Sequence, residues 1–342
     1  MRTLTVGIAG TAKNTGKTTT MSCLMDEIRK NTKLTMGLTS IGYDGENIDN
    51  ITGLPKPRID VLPGDITAIA ESCIKTGSAV LEELKRTEIA TPLGKVVICK
   101  VIQPGKMILA GPNNSRDLKN VLEILRKLTE IVIVDGALNR IAPMVEADCL
   151  IIATGAARNT EISQLAYESA CMVDILSIPV IPETGNVYRV DSILSRDELE
   201  LLIKESANSD TISINGVFGA QLLEELTDMY TDLPGGKSLI FADPLKLLIA
   251  GDATRIKKAL YDLSGACTGV GVAEANKLLA ITVNPYYPKY RYESEDYQAA
   301  YIDGDELLAT VSERVSVSCY DVIKQGGQGI YNALMQYRKE IS

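Results

Sequence analysis

The residues with the most evident chemistry lie at positions 10–20, in the run Gly10-Thr11-Ala12-Lys13-Asn14-Thr15-Gly16-Lys17-Thr18-Thr19-Thr20. The run follows a short apolar stretch at 4–9 and leads into residues 21–29, so it falls where a strand hands over to a helix. In that setting successive backbone N–H groups and a helix N-terminus wrap an anionic phosphate chain. Lys17 supplies a cation for the β- and γ-phosphate oxygens, and Thr18 a hydroxyl for magnesium. The stretch from Gly10 through Thr19 therefore reads as a phosphate-binding P-loop. Its first glycine stands one residue ahead of the standard Gly-x4-Gly-Lys-Ser/Thr spacing, because position 11 is Thr11.

A carboxylate is the other half of such a site. Ile131-Val132-Ile133-Val134-Asp135-Gly136 is four aliphatics ending in an acid, and Asp135 at that strand end can hold magnesium beside Thr18. Asp44 and Glu46 follow a strand expected at 34–41, where either could orient an attacking water or touch the metal; the other reading is a solvated turn. Arg140 could stabilise developing phosphate charge or simply make a surface ion pair. Lys13 could reach phosphate from its own loop or from a neighbouring subunit, or face solvent. Thr154 and Gly155 close the next strand on the same edge.

The bulk of the chain narrows the chemistry. It has 342 residues, 45% of them hydrophobic, with 35 Lys+Arg against 44 Asp+Glu and a formal charge of −9. Such a surface repels nucleic acid and anionic membranes, so neither is expected as a partner. No apolar run reaches the roughly 18 to 20 residues that span a bilayer, and the N-terminus enters the loop directly, so a cytoplasmic location is expected. The seven cysteines include no C-x-x-C pair, and buried reduced thiols are the expectation. With no histidine in the chain, histidine general-base catalysis, histidine metal ligation and Ser-His-Asp chemistry are excluded. Guanine recognition commonly uses Asn-Lys-x-Asp, but Asn276-Lys277 continues as Leu278-Leu279. ATP, with Mg2+, is the nucleotide expected.

The elements that must position these groups read as α/β. Strands are expected at 95–101, 106–110, 131–134 and 149–153. A helix is expected at 115–128 with Ser115 as N-cap, and two helical pieces at 66–84 broken at Gly77. Buried strands alternating with amphipathic helices argue for a doubly wound, mainly parallel sheet with its ligand at the carboxyl ends of the strands. Beyond a polar connection at 184–208, strands at 211–218, 238–241, 277–283 and 315–322 and helices at 221–231, 253–263 and 330–338 read as a second, smaller α/β domain. The expected division is a nucleotide-binding domain at 1–185 and a C-terminal domain at 210–342 for a partner or substrate. Within the latter, residues 284–301 hold six of the fourteen tyrosines, read as a loop packed on its own domain or as a partner surface.

These residues resemble the SIMIBI class of P-loop NTPases. Lys13-Asn14-Thr15-Gly16-Lys17-Thr18-Thr19 looks like the loop of the molybdopterin-guanine-dinucleotide adaptor proteins, and Asp135-Gly136-Ala137 is similar to the Glu-Gly-Ala strand end of dethiobiotin synthetases. The resemblance covers roughly residues 1 to 180. It implies that Lys17 binds phosphate, that Thr18 and Asp135 hold magnesium, and that the protein works as a homodimer. The loop together with residues 37–46 and 134–140 also resembles the smaller reactivase subunit that accompanies cobalamin-dependent lysine aminomutase. That likeness implies an ATPase acting on a protein partner to exchange damaged cofactor. Two other functions fit the same motifs: an ATP-dependent small-molecule kinase or ligase, and a nucleotide-binding adaptor that does not hydrolyse.

Overall fold

The computed structural model describes residues 2–42, 58–231, 236–292 and 294–341. The chain divides into two compact units, Met1–Ala166 with Leu278–Ser342, and Tyr167–Lys277.

The first unit opens with β1 (Leu4–Gly10), every residue of it buried, then the loop and α1 (Lys17–Asn31). There follow β2 (Met36–Ser40), β3 (Ile59–Val61), β4 (Ile66–Ala70), β5 (Val80–Thr91), β6 (Gly94–Gln103) and β7 (Gly105–Met107). Next come α2 (Ser115–Leu128), β8 (Ile131–Ala137) and β9 (Cys149–Gly155), and α3 (Ile162–Leu176) leaves for the second unit. That unit contains β10 (Val187–Val190), α4 (Arg196–Glu205), β11 (Thr211–Ile214), α5 (Ala220–Thr231), β12 (Ser238–Phe241), α6 (Pro244–Ile249), α7 (Ala253–Ala266) and β13 (Gly269–Val272). The chain then returns through β14 (Lys277–Asn284), β15 (Tyr286–Arg291), β16 (Asp296–Tyr301), α8 (Gly304–Arg314), β17 (Ser318–Tyr320), α9 (Val322–Gln325) and α10 (Gln328–Glu340).

Among the described residues, nine strands of the first unit form one sheet in the order β17-β14-β9-β1-β8-β2-β4-β6-β5. The pairs β14 with β17, β1 with β8 and β9, and β2 with β8 and β4 are parallel, whereas β4–β6 and β5–β6 are antiparallel. The sheet is thus mainly parallel α/β. Its middle strands are buried almost throughout, as strands are where helices and loops cover both faces of a sheet. The core under α1 joins Met21, Leu24, Met25 and Ile28 to Leu4, Val6 and Ile8 of β1 and to Ile330 and Leu334 of α10.

The second unit carries a parallel four-stranded sheet, β10-β11-β12-β13, joined through α4 to α7.

Three expectations are corrected. The helices expected at 66–84 are β4, a short 3-10 turn at Glu71–Cys73 and the start of β5. Glu and Leu in residues 81–84 favour a helix locally, but the antiparallel ladder to β6 overrides that weak propensity. The N-cap of α2 is Asn114, whose side chain accepts from the Asp117 N–H at 2.9 Å, so Ser115 is already helical. The compact units also do not divide at the boundaries expected from the sequence. Residues 278–342 belong with the first unit, because β14 enters the large sheet beside β9 and β17 beside β14.

Candidate functional site

The parallel register lines up the carboxyl ends of β1, β8 and β9, with Gly10 opposite Ala137 and Ala153. Asp135 lies opposite Ile8 on one side and Ser40 on the other, so the acid sits on the strand next to the one that feeds the loop. Sheet order alone therefore brings residues 118 positions apart into contact. Lys17 Nζ donates to Asp135 Oδ2 at 3.1 Å and lies 2.9 Å from Oδ1.

The loop's path depends on two left-handed residues, Asn14 (φ 64) and Gly16 (φ 87). Gly16 is the N-cap of α1, and as a glycine it enters this region without a Cβ penalty. Asparagine is among the non-glycine residues that tolerate it best. Side chains hold the turn: Thr15 Oγ1 donates to the Ala12 carbonyl at 2.9 Å, and Thr11 N–H to Ala153 of β9 at 2.9 Å. Thr11 Oγ1 bonds Thr154 Oγ1 at 3.0 Å, and Arg158 donates to the Thr11 carbonyl at 3.3 Å.

The N-terminus of α1, like that of α10, carries no capping side chain. Helices α2, α4 and α6 to α9 are each capped by an Asn, Ser or Asp side chain. By contrast α1 has no side-chain cap and no acid in its first turn. Its leading N–H groups and the positive end of the helix dipole therefore face the loop without an anionic side chain of the helix's own.

Loop, helix end and strand ends enclose a cleft of about 630 Å3. Gly10 to Thr19 line it without a gap, joined by Ser40, Asp135, Arg140, Asn284 and Tyr286, with Ile59, Met107 and Ile108 forming an apolar wall. Among the described residues, Lys13, Lys17 and Arg140 line it together with the carboxylate of Asp135. Basic side chains gathered at one cleft of a chain whose net charge is −9 suit an anionic ligand. Arg140 lies in the 3-10 turn after β8, and a Cβ on Gly42 would come within 2.8 Å of its guanidinium and of Asn113 Oδ1.

Of the residues singled out from the sequence, Gly10, Thr11, Lys13, Asn14, Thr15, Gly16, Lys17, Thr18, Thr19, Asp135 and Arg140 are brought together in this cleft. Asp44 and Glu46 lie outside the described residues. Thr154 is fully buried and serves as the anchor of Thr11, while Gly155 packs against Asn284. Asn284 and Tyr286 were missed as site residues. A signal existed, since Asn284 is the first polar residue after an apolar strand and such strand ends are where ligands bind in parallel sheets.

Asp135 also meets a test for a cation. Oδ1 is buried and accepts no hydrogen bond, although it is close to Lys17 Nζ. Thr18 lines the same cleft, and a carboxylate with a hydroxyl is a donor set that magnesium takes. Among the described residues no cluster of three or more His, Cys, Asp or Glu side chains is gathered as a metal site, and no helix is long and apolar enough to cross a membrane. The seven cysteines are free thiols. Burial pushes each of them above its ordinary range, Cys99, Cys267 and Cys319 to about 11, so none is poised as a thiolate nucleophile.

No family model matches the sequence, and no curated protein matches it. A solved structure, that of pNOB8 ParA bound to nonspecific DNA, is similar at 13% identity over 61% of this chain and 76% of that chain. Its TM-score of 0.29 is too low to carry an inference.

Proposed function

We propose that this protein is a magnesium-dependent P-loop ATPase that couples nucleotide binding and hydrolysis to action on a protein partner. The observation that carries the reading is the cleft itself. A left-handed loop, an uncapped helix N-terminus and Lys17 converge on Asp135 at the carboxyl edge of a parallel sheet. Backbone N–H groups of the loop would cradle the phosphates, and Lys17 would exchange its carboxylate partner for phosphate oxygens. Thr18 and Asp135 would hold the magnesium ion, which supplies charge neutralisation at the β- and γ-oxygens. Arg140 and Lys13, on the walls of the cleft, would meet charge developing on the transferred phosphoryl group. Asp44 or Glu46 would orient the attacking water.

ATP is favoured over GTP. Asn276-Lys277 continues as Leu278-Leu279, so the aspartate with which an Asn-Lys-x-Asp reader grips guanine is absent from it. The resemblance to the aminomutase reactivase subunit supports a cobalamin enzyme as the partner, and the resemblance to the SIMIBI class supports a homodimer as the working unit. The tyrosine-rich hairpin β15–β16 offers a surface for such a partner, with Tyr292 and Tyr301 87% and 68% exposed.

Calorimetry with Mg-ATP and Mg-GTP, together with a phosphate-release assay, tests the reading. Micromolar Mg-ATP binding that is lost in Lys17→Ala is expected; full retention of binding and turnover in that variant would refute the assignment. Stronger binding of GTP would refute the base preference. Turnover that responds to an added metabolite rather than to a protein would favour a small-molecule kinase or ligase.

A further inference from the structure

We propose that Asn284 is a positioning residue for the phosphate loop, holding the left-handed turn at Asn14 from a strand 270 residues further along the chain. The proposal rests on the phosphate-site reading above and deepens it.

Asn284 closes β14 and is 9% exposed. Its carboxamide is engaged at both ends. Nδ2 donates to the Asn14 carbonyl at 3.0 Å, and Oδ1 accepts the Tyr286 N–H at 3.2 Å. One atom must donate and a second accept, so an amide fits where a carboxylate or an aliphatic side chain does not.

The surroundings are cut to this residue. The Asn284 carbonyl accepts the Ala156 N–H at 2.9 Å, and a Cβ on Gly155 would come within 2.1 Å of that carbonyl oxygen. On the other side a Cβ on Gly16 would lie 3.2 Å from Asn284 Cβ. Asn284 is thus wedged between the N-cap of α1 and the end of β9, two points where the chain carries glycine. Two residues earlier, and so on the same face of β14, Thr282 shares a hydrogen bond of 2.8 Å with Thr20 in the first turn of α1. The strand grips both the loop and the helix it feeds.

The consequence for phosphate binding follows from the peptide plane. Asn14 pays a penalty for its positive φ that persists only when its surroundings determine it. Because the peptide is planar and trans, fixing the Asn14 carbonyl toward Asn284 points the Thr15 N–H the opposite way. A loop that offers N–H groups to an anion needs that orientation settled in advance, since each donor that must be reoriented on binding weakens the complex.

The test uses the full-length protein with Asn284→Ala and Asn284→Asp. The aspartate keeps the acceptor for Tyr286 and the side-chain shape but loses the donor to Asn14 and adds a negative charge, so exchange is read on both variants and affinity on the alanine alone. Hydrogen exchange at amides 12–18 is expected to speed up several-fold in both variants, with exchange in β8 and α10 unchanged. By calorimetry Asn284→Ala is expected to weaken Mg-ATP and magnesium tripolyphosphate by the same factor, about five- to tenfold, the worth of one neutral hydrogen bond. Loss of ATP affinity with tripolyphosphate binding intact would overturn the proposal, because Asn284 would then act on the nucleoside. Unchanged exchange in the loop would overturn it as well. Failure of the wild-type protein to bind either ligand would refute the phosphate-site reading instead, and the exchange comparison alone would then decide whether Asn284 holds the loop.

Discussion

Lys17 and Asp135 neutralise each other across neighbouring strand ends, and both side chains are mostly but not fully buried, at 26% and 22% exposure. A phosphate that recruits Lys17 must break this pair, so Asp135 competes with the ligand for the lysine. The same carboxylate then becomes a seat for the metal, and its two roles oppose each other in binding. Asp135→Asn keeps the shape and removes the charge, which separates them. Binding of ATP in EDTA is expected to strengthen, by up to about tenfold if the pair is worth about 1.5 kcal/mol. The further gain on adding magnesium is expected to shrink by at least about tenfold. Calorimetric titrations with and without magnesium measure both effects, and an unaltered magnesium gain would remove Asp135 from the metal site.

At the scale of elements, the helices differ in what their N-termini are for. Asn114 closes α2 by accepting the Asp117 N–H, while α1 leaves its first turn open. Asn114→Ala is expected to destabilise the protein by about 1 kcal/mol, read as a lower urea midpoint with the slope unchanged and Mg-ATP affinity unaffected. A loss of nucleotide affinity from that variant would show that the end of α2 reaches the site. The same contrast explains what could be read along the chain. The loop, the apolar strands on either side of it and α2 have short-range signals, in turn residues, continuous apolar runs and helical periodicity. Residues 66–84 do not, since their strand character comes from partners that lie further along in β6. The β15–β16 hairpin, which the sequence offers as a loop packed on its own domain or as a partner surface, is a two-stranded ribbon whose free edges tolerate Pro288.

For the whole molecule, the question is how the last 65 residues relate to the first 166. They complete the first unit rather than add to it, and no local pattern announces this, because the return of β14 to the sheet is a matter of topology. Ile330 and Leu334 of α10 are fully buried and Val322 nearly so, in one cluster with Met21, Leu24, Met25 and Ile28 of α1. Burial of three such side chains contributes about 5–9 kcal/mol, comparable to the whole net stability of a typical domain. A fragment ending at residue 185, the boundary expected from the sequence, loses these contacts together with Thr282 and Asn284. It would expose the outer face of the helix that carries Lys17 and Thr18. The fragment is expected to aggregate or to unfold without a cooperative urea transition, and to bind no Mg-ATP. Full-length protein carrying Leu334→Ala should fall between, losing about 2–5 kcal/mol of stability while keeping its affinity for nucleotide when folded. A soluble 1–185 fragment with one sharp transition and full-length affinity would show that the nucleotide site is complete without the returning strand, and the dependence of the loop on β14 would fall with it.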